Sequence, residues 1–275
     1  MERIKRMKNA ISHSLEHSLY LKRYRRKNVL VNVSRMAILL VFLLIWELAA
    51  QFQWVNPFIT SSPSRVFNTI KGLYQDGSLF YHVGTTLWET LLGFTLAVAI
   101  GYFIALILWW SDVARKILEP YFVVLNALPK IALGPLIIIW CGTGNKAVVF
   151  MTILIGLIVA ILNMLNGFMA TDENKLLLLR SMGATKLQIL TKLVIPSSLP
   201  SFISMLKINV GMAWIGSIMG EYMVSKAGIG YLIVYGGQVF KLDLVMSAVI
   251  ILCILAAAMY ALVALIEKLV IKNQK

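Results

Sequence analysis

Residues 147–169 read AVVFMTILIGLIVAILNMLNGFM, a stretch with no Asp, Glu, Lys or Arg. At about 1.5 Å per residue such a run crosses the roughly 30 Å hydrocarbon core of a bilayer as one α-helix. Five more apolar runs flank it: Met36–Phe52, Thr86–Trp110, Leu118–Cys141, Leu199–Tyr222 and Leu244–Ile266. The expected fold is therefore an all-α polytopic membrane protein with about six transmembrane helices.

Composition agrees. Of 275 residues, 59% are hydrophobic and 14% charged, against about 25% charged in a soluble domain. The spans leave no room for a separate soluble domain. The first run holds Glu47 and is not followed by a small-x-small cleavage site, so it reads as a retained span. Cys141 and Cys253 lie inside apolar runs without metal-ligand spacing and read as small buried hydrophobes.

The net charge of +14 is a topology signal rather than a nucleic-acid groove. With the N-terminus inside, 19 of the 26 Lys and Arg fall in connections on the cytoplasmic side and five on the other, while Lys130 and Lys207 fall within spans. Both termini are thus expected in the cytoplasm. Residues 1–35 are expected to form a basic cytoplasmic extension and 36–275 the membrane domain. In the extension Ile4, Met7, Ile11, Leu15 and Leu19 recur at helical steps between Lys and Arg, which suits a helix in the inner headgroup region; a solvated basic tail is the other reading.

Small residues recur at four-residue steps: Gly93, Ala97, Gly101 and Ala105 in the second span, and Gly216 and Gly220 in the fifth. Such stripes let helices approach closely. Asn126, Asn163 and Asn209 are candidates for hydrogen bonds between helices.

The longest cytoplasmic connection, Thr171–Leu199, reads TDENKLLLLRSMGATKLQILTKLVIPSSL. Thr171 or Asp172 can cap a helix, and Asp172 and Glu173 suit its positive end. Gly183 permits a left-handed C-terminal turn. Thr185 and Gln188 have capping-box spacing for a second helix, which Pro196 and Pro200 are expected to end and re-aim. The hairpin is more apolar than a loop requires. A groove on a soluble partner and a lipid surface would both accommodate it.

Polar groups within spans are costly in lipid and are candidates for function. Lys130 lies about 18 Å from the inner end of its run by helix rise, flanked by Pro129 and Pro135. A cation at a broken helix suits a gate or an anion path; a structural kink whose Lys finds a Glu or carbonyl partner is equally consistent. Lys207, nearer the inner surface, can snorkel. Glu221, beside Gly228-x-Gly230, is placed to line an outer gate or to mark the interface. Glu47 and Glu89 read as packing or interfacial partners. His13-Ser14-Leu15-Glu16-His17 fits the H-x-x-E-H zinc pattern in form. A third ligand is missing on that side of the membrane, because His82 is expected on the other.

The segment Arg180–Pro196, RSMGATKLQILTKLVIP, resembles the "EAA" loop of ABC-importer permeases of the binding-protein-dependent type. Gly183, Leu193, Ile195 and Pro196 match that loop, while Leu177, Leu178 and Leu179 stand where its Glu-Ala-Ala triplet would be. Asn126–Gly142 and Ala213–Tyr231, with Ser62-Pro63-Ser64 and His82–Gly93, resemble the nitrate/sulfonate/taurine-type permeases. The similarity runs from about Trp46 to Ile266.

The resemblance implies a type I ABC importer permease-like bundle whose cytoplasmic hairpin, about 171–199, docks as a coupling helix. Asp172, Glu173, Arg180, Gly183, Ala184 and Pro196 would couple it to the ATPase. Lys130, Pro129, Pro135 and Glu221 would line the translocation path or its gate. The implied partners are two ATP-binding cassette subunits, an extracytoplasmic substrate-binding protein and a second permease copy, expected to be identical. The implied location is the bacterial cytoplasmic (inner) membrane, and the solute is a small nutrient such as nitrate, a sulfonate or taurine. No Walker A pattern is present, since Gly142–Lys146 lacks its spacing. ATP and Mg would be bound by the partner subunits, with no cofactor, metal or catalytic residue in this chain. The competing expectation is a stand-alone secondary transporter or channel, although the paired broken spans common in such carriers are not evident.

Overall fold

The structure is a computed structural model. It describes the backbone of residues 2–272 and the side chains of 19–27 and 29–269. The expected pattern at Ile4–Leu15 and the His13–His17 motif therefore lie outside the described side chains. Among the described residues every regular element is a helix, and the fold is an all-α membrane-protein bundle.

Contacts divide the chain into two units, 1–65 and 66–275. In the first, α1 (Glu2–Gln51) runs unbroken past the boundary expected at residue 35. The short α2 (Pro57–Thr60) starts on an Asn56 cap, and α3 (Pro63–Gln75) continues into the second unit. Glu47 fastens this turn, accepting hydrogen bonds from Ser64 N at 2.9 Å and Ser64 Oγ at 2.8 Å.

The second unit continues with α4 (Ser78–Trp110), α5 (Asp112–Ala127), a 3-10 turn (Lys130–Leu133), α6 (Gly134–Cys141) and α7 (Asn145–Met169). Next come α8 (Glu173–Ser181), α9 (Lys186–Ile189), a π-helical segment (Leu190–Val194) and α10 (Ile195–Ser197). The remaining helices are α11 (Leu199–Val224), α12 (Ile229–Gln238) and α13 (Leu242–Lys272). Among the described residues, five helical stretches are long and apolar enough to cross a membrane: Leu19–Gln51, Ser78–Trp110, Asn145–Met169, Leu199–Val224 and Leu242–Leu269. The sixth expected span is not one helix: Asp112–Ala127 and Lys130–Cys141 meet at an 88° bend.

The axis of the second unit is α7, packed between α4 and α11. Lipid tails are as apolar as leucine, so close packing rather than apolar burial draws such helices together. The glycine stripes make that approach possible. A Cβ at Gly101 would lie 2.6 Å from Ala160 Cβ, and one at Gly93 would strike Thr152. From the other side, a Cβ at Gly216 would lie 2.6 Å from Thr152 Cα and one at Gly220 2.8 Å from Val148 Cα. Thr152 thus sits in a notch between two helices, its hydroxyl bonded back to Val148 O at 2.9 Å.

One end of the bundle closes over Leu108, Ile161, Met164, Leu165 and Phe168, onto which Ile189, Leu190 and Val194 of the hairpin pack. Ile229, Leu232, Leu244, Ala248 and Ile251 join α12 to α13. Lys207 of α11 pairs with Glu267 of α13 at 2.6 Å.

Several expectations need correction. Pro196 does not end a helix, because the backbone stays right-handed from Ile189 through Ser198. Proline lacks the N–H that the ladder would use, and the π-helical segment before it absorbs the defect. Asn163 Nδ2 bonds Val159 O and Asn209 Nδ2 bonds Met205 O, each within its own helix rather than across helices. Cys141 is only half-buried and Cys253 is exposed, so neither is the fully buried residue expected.

Candidate docking hairpin and buried polar cluster

The hairpin is built as its residues dictate. Asp172 caps α8, its carboxyl accepting from Asn174 N at 2.8 Å, and Glu173 occupies the first turn. At the other end Gly183 has φ of +77°. Gly183 N bonds Arg180 O at 3.0 Å and Ala184 N bonds Leu179 O at 3.0 Å. This pair of bonds is the Schellman motif, which a left-handed residue closes. Thr185 and Gln188 then form the full capping box of α9, with Thr185 N donating to Gln188 Oε1 at 2.8 Å and Gln188 N to Thr185 Oγ1 at 3.3 Å.

The two faces of the hairpin differ. Ile189, Leu190 and Val194 are buried, whereas Leu177, Leu178, Met182 and Leu187 are 58–73% exposed. Between hairpin and bundle lies a cavity of about 330 Å³ lined by Trp109, Asp112, Arg180, Ala184 and Lys186 among others. Lys186 Nζ donates to Trp110 O at 2.5 Å and lies 5.4 Å from the Trp110 ring centroid. Sequence reading missed this residue, because nothing near position 186 announces a partner 76 positions away.

The polar cluster forms where α11 ends and α12 begins. Glu221 is 1% exposed, and its Oε2 accepts from Gly230 N at 2.5 Å. Ile229 N donates to Thr86 Oγ1 at 2.7 Å, and Gly228 N to His82 Nδ1 at 3.0 Å. Three side chains thus take the free N–H groups at the start of α12, which its glycine cap cannot. His82 stacks on Tyr231 with centroids 6.0 Å apart. Behind Glu221 lies Glu89, 0% exposed and interacting directly with it. Among the described residues no Lys, Arg or His forms an ion pair with either carboxyl group. Thr90 Oγ1 donates to Ser217 Oγ at 2.7 Å on the same α4–α11 seam. Glu89, His82 and Thr86 escaped sequence reading as partners of Glu221. His82, Thr86 and Glu89 do recur at three- and four-residue steps, which places them on one face of α4.

Pro129 and Lys130 sit at the 88° bend, and Pro135 is in the first turn of α6. The depth inferred for Lys130 assumed a straight helix and does not apply. Lys130 Nζ donates to Asn126 O at 3.2 Å and Asn126 Oδ1 at 3.3 Å. Gly134 lies against the Met223 side chain, so the start of α6 adjoins the end of α11 that carries Glu221.

Comparison with known proteins agrees with this architecture. Residues 97–273 match the family described as "Binding-protein-dependent transport system inner membrane component". The chain belongs to that family, and is a multi-pass membrane permease subunit of the ABC-importer type. It is 31% identical over 193 residues to the formylaminopyrimidine transport permease protein ThiX of Halalkalibacterium halodurans, covering 70% of this chain and 76% of that one. It is 25% identical over 232 residues to the putative aliphatic sulfonates transport permease protein SsuC of Bacillus subtilis, covering 84% of each. Its fold is similar to a chain of the inward-facing MetNI methionine ABC transporter, with a TM-score of 0.61 at 17% identity over 76% of this chain and 99% of that one.

Proposed function

We propose that this chain forms the translocation path of an ATP-driven importer in the bacterial cytoplasmic membrane, both termini inside, and that Thr171–Leu199 is its coupling segment. Two ATP-binding subunits would flank the permease pair, one docking on this hairpin and the other on that of the second copy, and an extracytoplasmic binding protein would deliver solute at the face carrying Glu221. A second identical permease copy would complete the path. Asp172, Glu173, Gly183 and Ala184 shape the hairpin, Arg180 faces the cavity beneath it, and Pro196 sets the π-helical root that ties it to α11. Pro129, Lys130, Pro135 and Glu221 would form the opposite gate. Relatives are described as permeases for a formylaminopyrimidine and for aliphatic sulfonates. We therefore assign the solute to small polar organic nutrients of that size.

The observation that supports this reading best is the two-faced hairpin. Its Schellman turn and capping box hold four large apolar side chains outward, while its other face is rooted in the bundle. A folded, rooted and apolar projection suits a groove on a protein that pushes against it.

The test is reconstitution of the complex with its binding protein in proteoliposomes, with uptake of a formylaminopyrimidine and of an alkylsulfonate measured with and without internal ATP. Uptake of one of them that depends on ATP, and is lost in Gly183→Val with membrane insertion intact, is the expected result. Uptake without ATP would instead favour a carrier working alone. Labelling of Met182→Cys only from the extracytoplasmic side would overturn the orientation.

A further inference from the structure

We infer that Lys186 is the strut through which movement of the hairpin reaches α4, and through α4 the cluster around Glu221. This rests on reading the hairpin as the ATPase dock.

Lys186 opens α9, one residue after the Thr185 cap. Its ammonium donates to Trp110 O at 2.5 Å. Trp110 is the last residue of α4, where a carbonyl has no helical N–H partner. A cation is favoured at that negative end of the helix. The same ammonium stands 5.8 Å from the Trp109 ring centroid and 5.4 Å from that of Trp110, within reach of both ring quadrupoles. Asp112, the acid lining the same cavity, is engaged by Arg115 at 3.2 Å. Lys186 is therefore held by α4 itself rather than by a surface ion pair.

The strut matters because of what α4 carries at its other end. The helix is 33 residues long, about 50 Å at 1.5 Å per residue. Near its far end His82 and Thr86 hold the first N–H groups of α12, and Glu89 backs Glu221. One rigid element thus joins the hairpin to the outer cluster. The Gly101–Ala160 and Gly93–Thr152 contacts with α7 guide it along the way. Lys186 is a positioning residue, acting through its contacts with Trp109 and Trp110.

The experiment uses the whole complex in proteoliposomes, with Met223→Cys as the reporter beside Glu221. The reporter's labelling by a membrane-impermeant maleimide is read with and without ATP and orthovanadate, alongside ATP hydrolysis. In K186M hydrolysis is expected to stay within about twofold of the parent, while the ATP-dependent change in labelling falls about tenfold, the size of a typical coupling between two sites. K186R, which keeps the cation over the tryptophans, should restore most of that change. Tryptophan emission of the permease should shift in K186M and not in K186R. An undiminished labelling response in K186M overturns the strut and leaves the importer reading standing. Parallel loss of hydrolysis and response, without rescue by K186R, also overturns it by showing a structural role only. A parent complex whose labelling ignores ATP refutes the importer reading itself, and the strut with it.

Discussion

Glu221 caps the first turn of α12 through Gly230, accepting its N–H at 2.5 Å, and a Cβ at Gly230 would come within 2.7 Å of the same carboxyl oxygen. Cap and glycine are fitted to each other, and the buried Glu89 interacts with the same carboxyl group.

Glu221→Leu leaves that N–H buried without a partner, at a cost of about 1–3 kcal/mol. Glu221→Gln keeps an acceptor and adds an N–H toward Glu89, replacing a contact between two acids. Its thermal midpoint in detergent should equal or exceed that of the parent, while Glu221→Leu falls below it. Equal midpoints for both variants would remove the capping role.

Gly216 and Gly211 lie on the same helix and predict opposite outcomes. Gly216→Val would drive a side chain into the Thr152 backbone, whereas a Cβ at Gly211 would meet nothing within 4 Å. Gly216→Val should abolish accumulation of folded protein. Gly211→Ala should be neutral or gain about 0.5–1 kcal/mol from helix propensity. Size-exclusion profiles and thermal midpoints of the two variants check this.

Gly183 is constrained by backbone conformation, not by space, since a Cβ there would meet nothing within 4 Å. The left-handed region costs an L-residue about 1–2 kcal/mol, and Asn is among the residues that enter it most readily. Gly183→Asn should therefore keep much more ATP-dependent uptake than Gly183→Val. A reversed order would place the requirement in contacts rather than conformation.

Lys207 and Glu267 tie α11 to α13. Lys207→Met should lower the thermal midpoint, and the exchange Lys207→Glu with Glu267→Lys should recover part of the loss. No recovery would mean that Lys207 acts through its contact with the Tyr260 ring, 6.0 Å from its ammonium.

Much of this was legible in the chain. Uninterrupted apolar length announced the spans, and Asp172, Gly183, Thr185 and Gln188 announced the hairpin, because caps and left-handed turns are local chemistry. The glycine stripes announced close approach without naming α7 as the shared neighbour. What stayed hidden is long-range. Glu221 meets Thr86 and His82 through α12, and Lys186 meets Trp110, across separations that no periodicity encodes. Pro196 misled for another reason: a missing N–H can break a helix or widen one turn of it, and the surrounding packing decides which.

The notch that holds Thr152 has a consequence for biogenesis. Its first wall, α4, precedes α7 in the chain, but its second wall, α11, follows. At translation rates of about 5–20 residues per second, α7 must wait some seconds in the membrane with one flank uncovered. The Thr152 hydroxyl directs its hydrogen bond to Val148 of its own helix, so while it waits Thr152 offers lipid no unpaired donor. The most enclosed segment of the finished protein is thereby also one that tolerates being left temporarily without a companion.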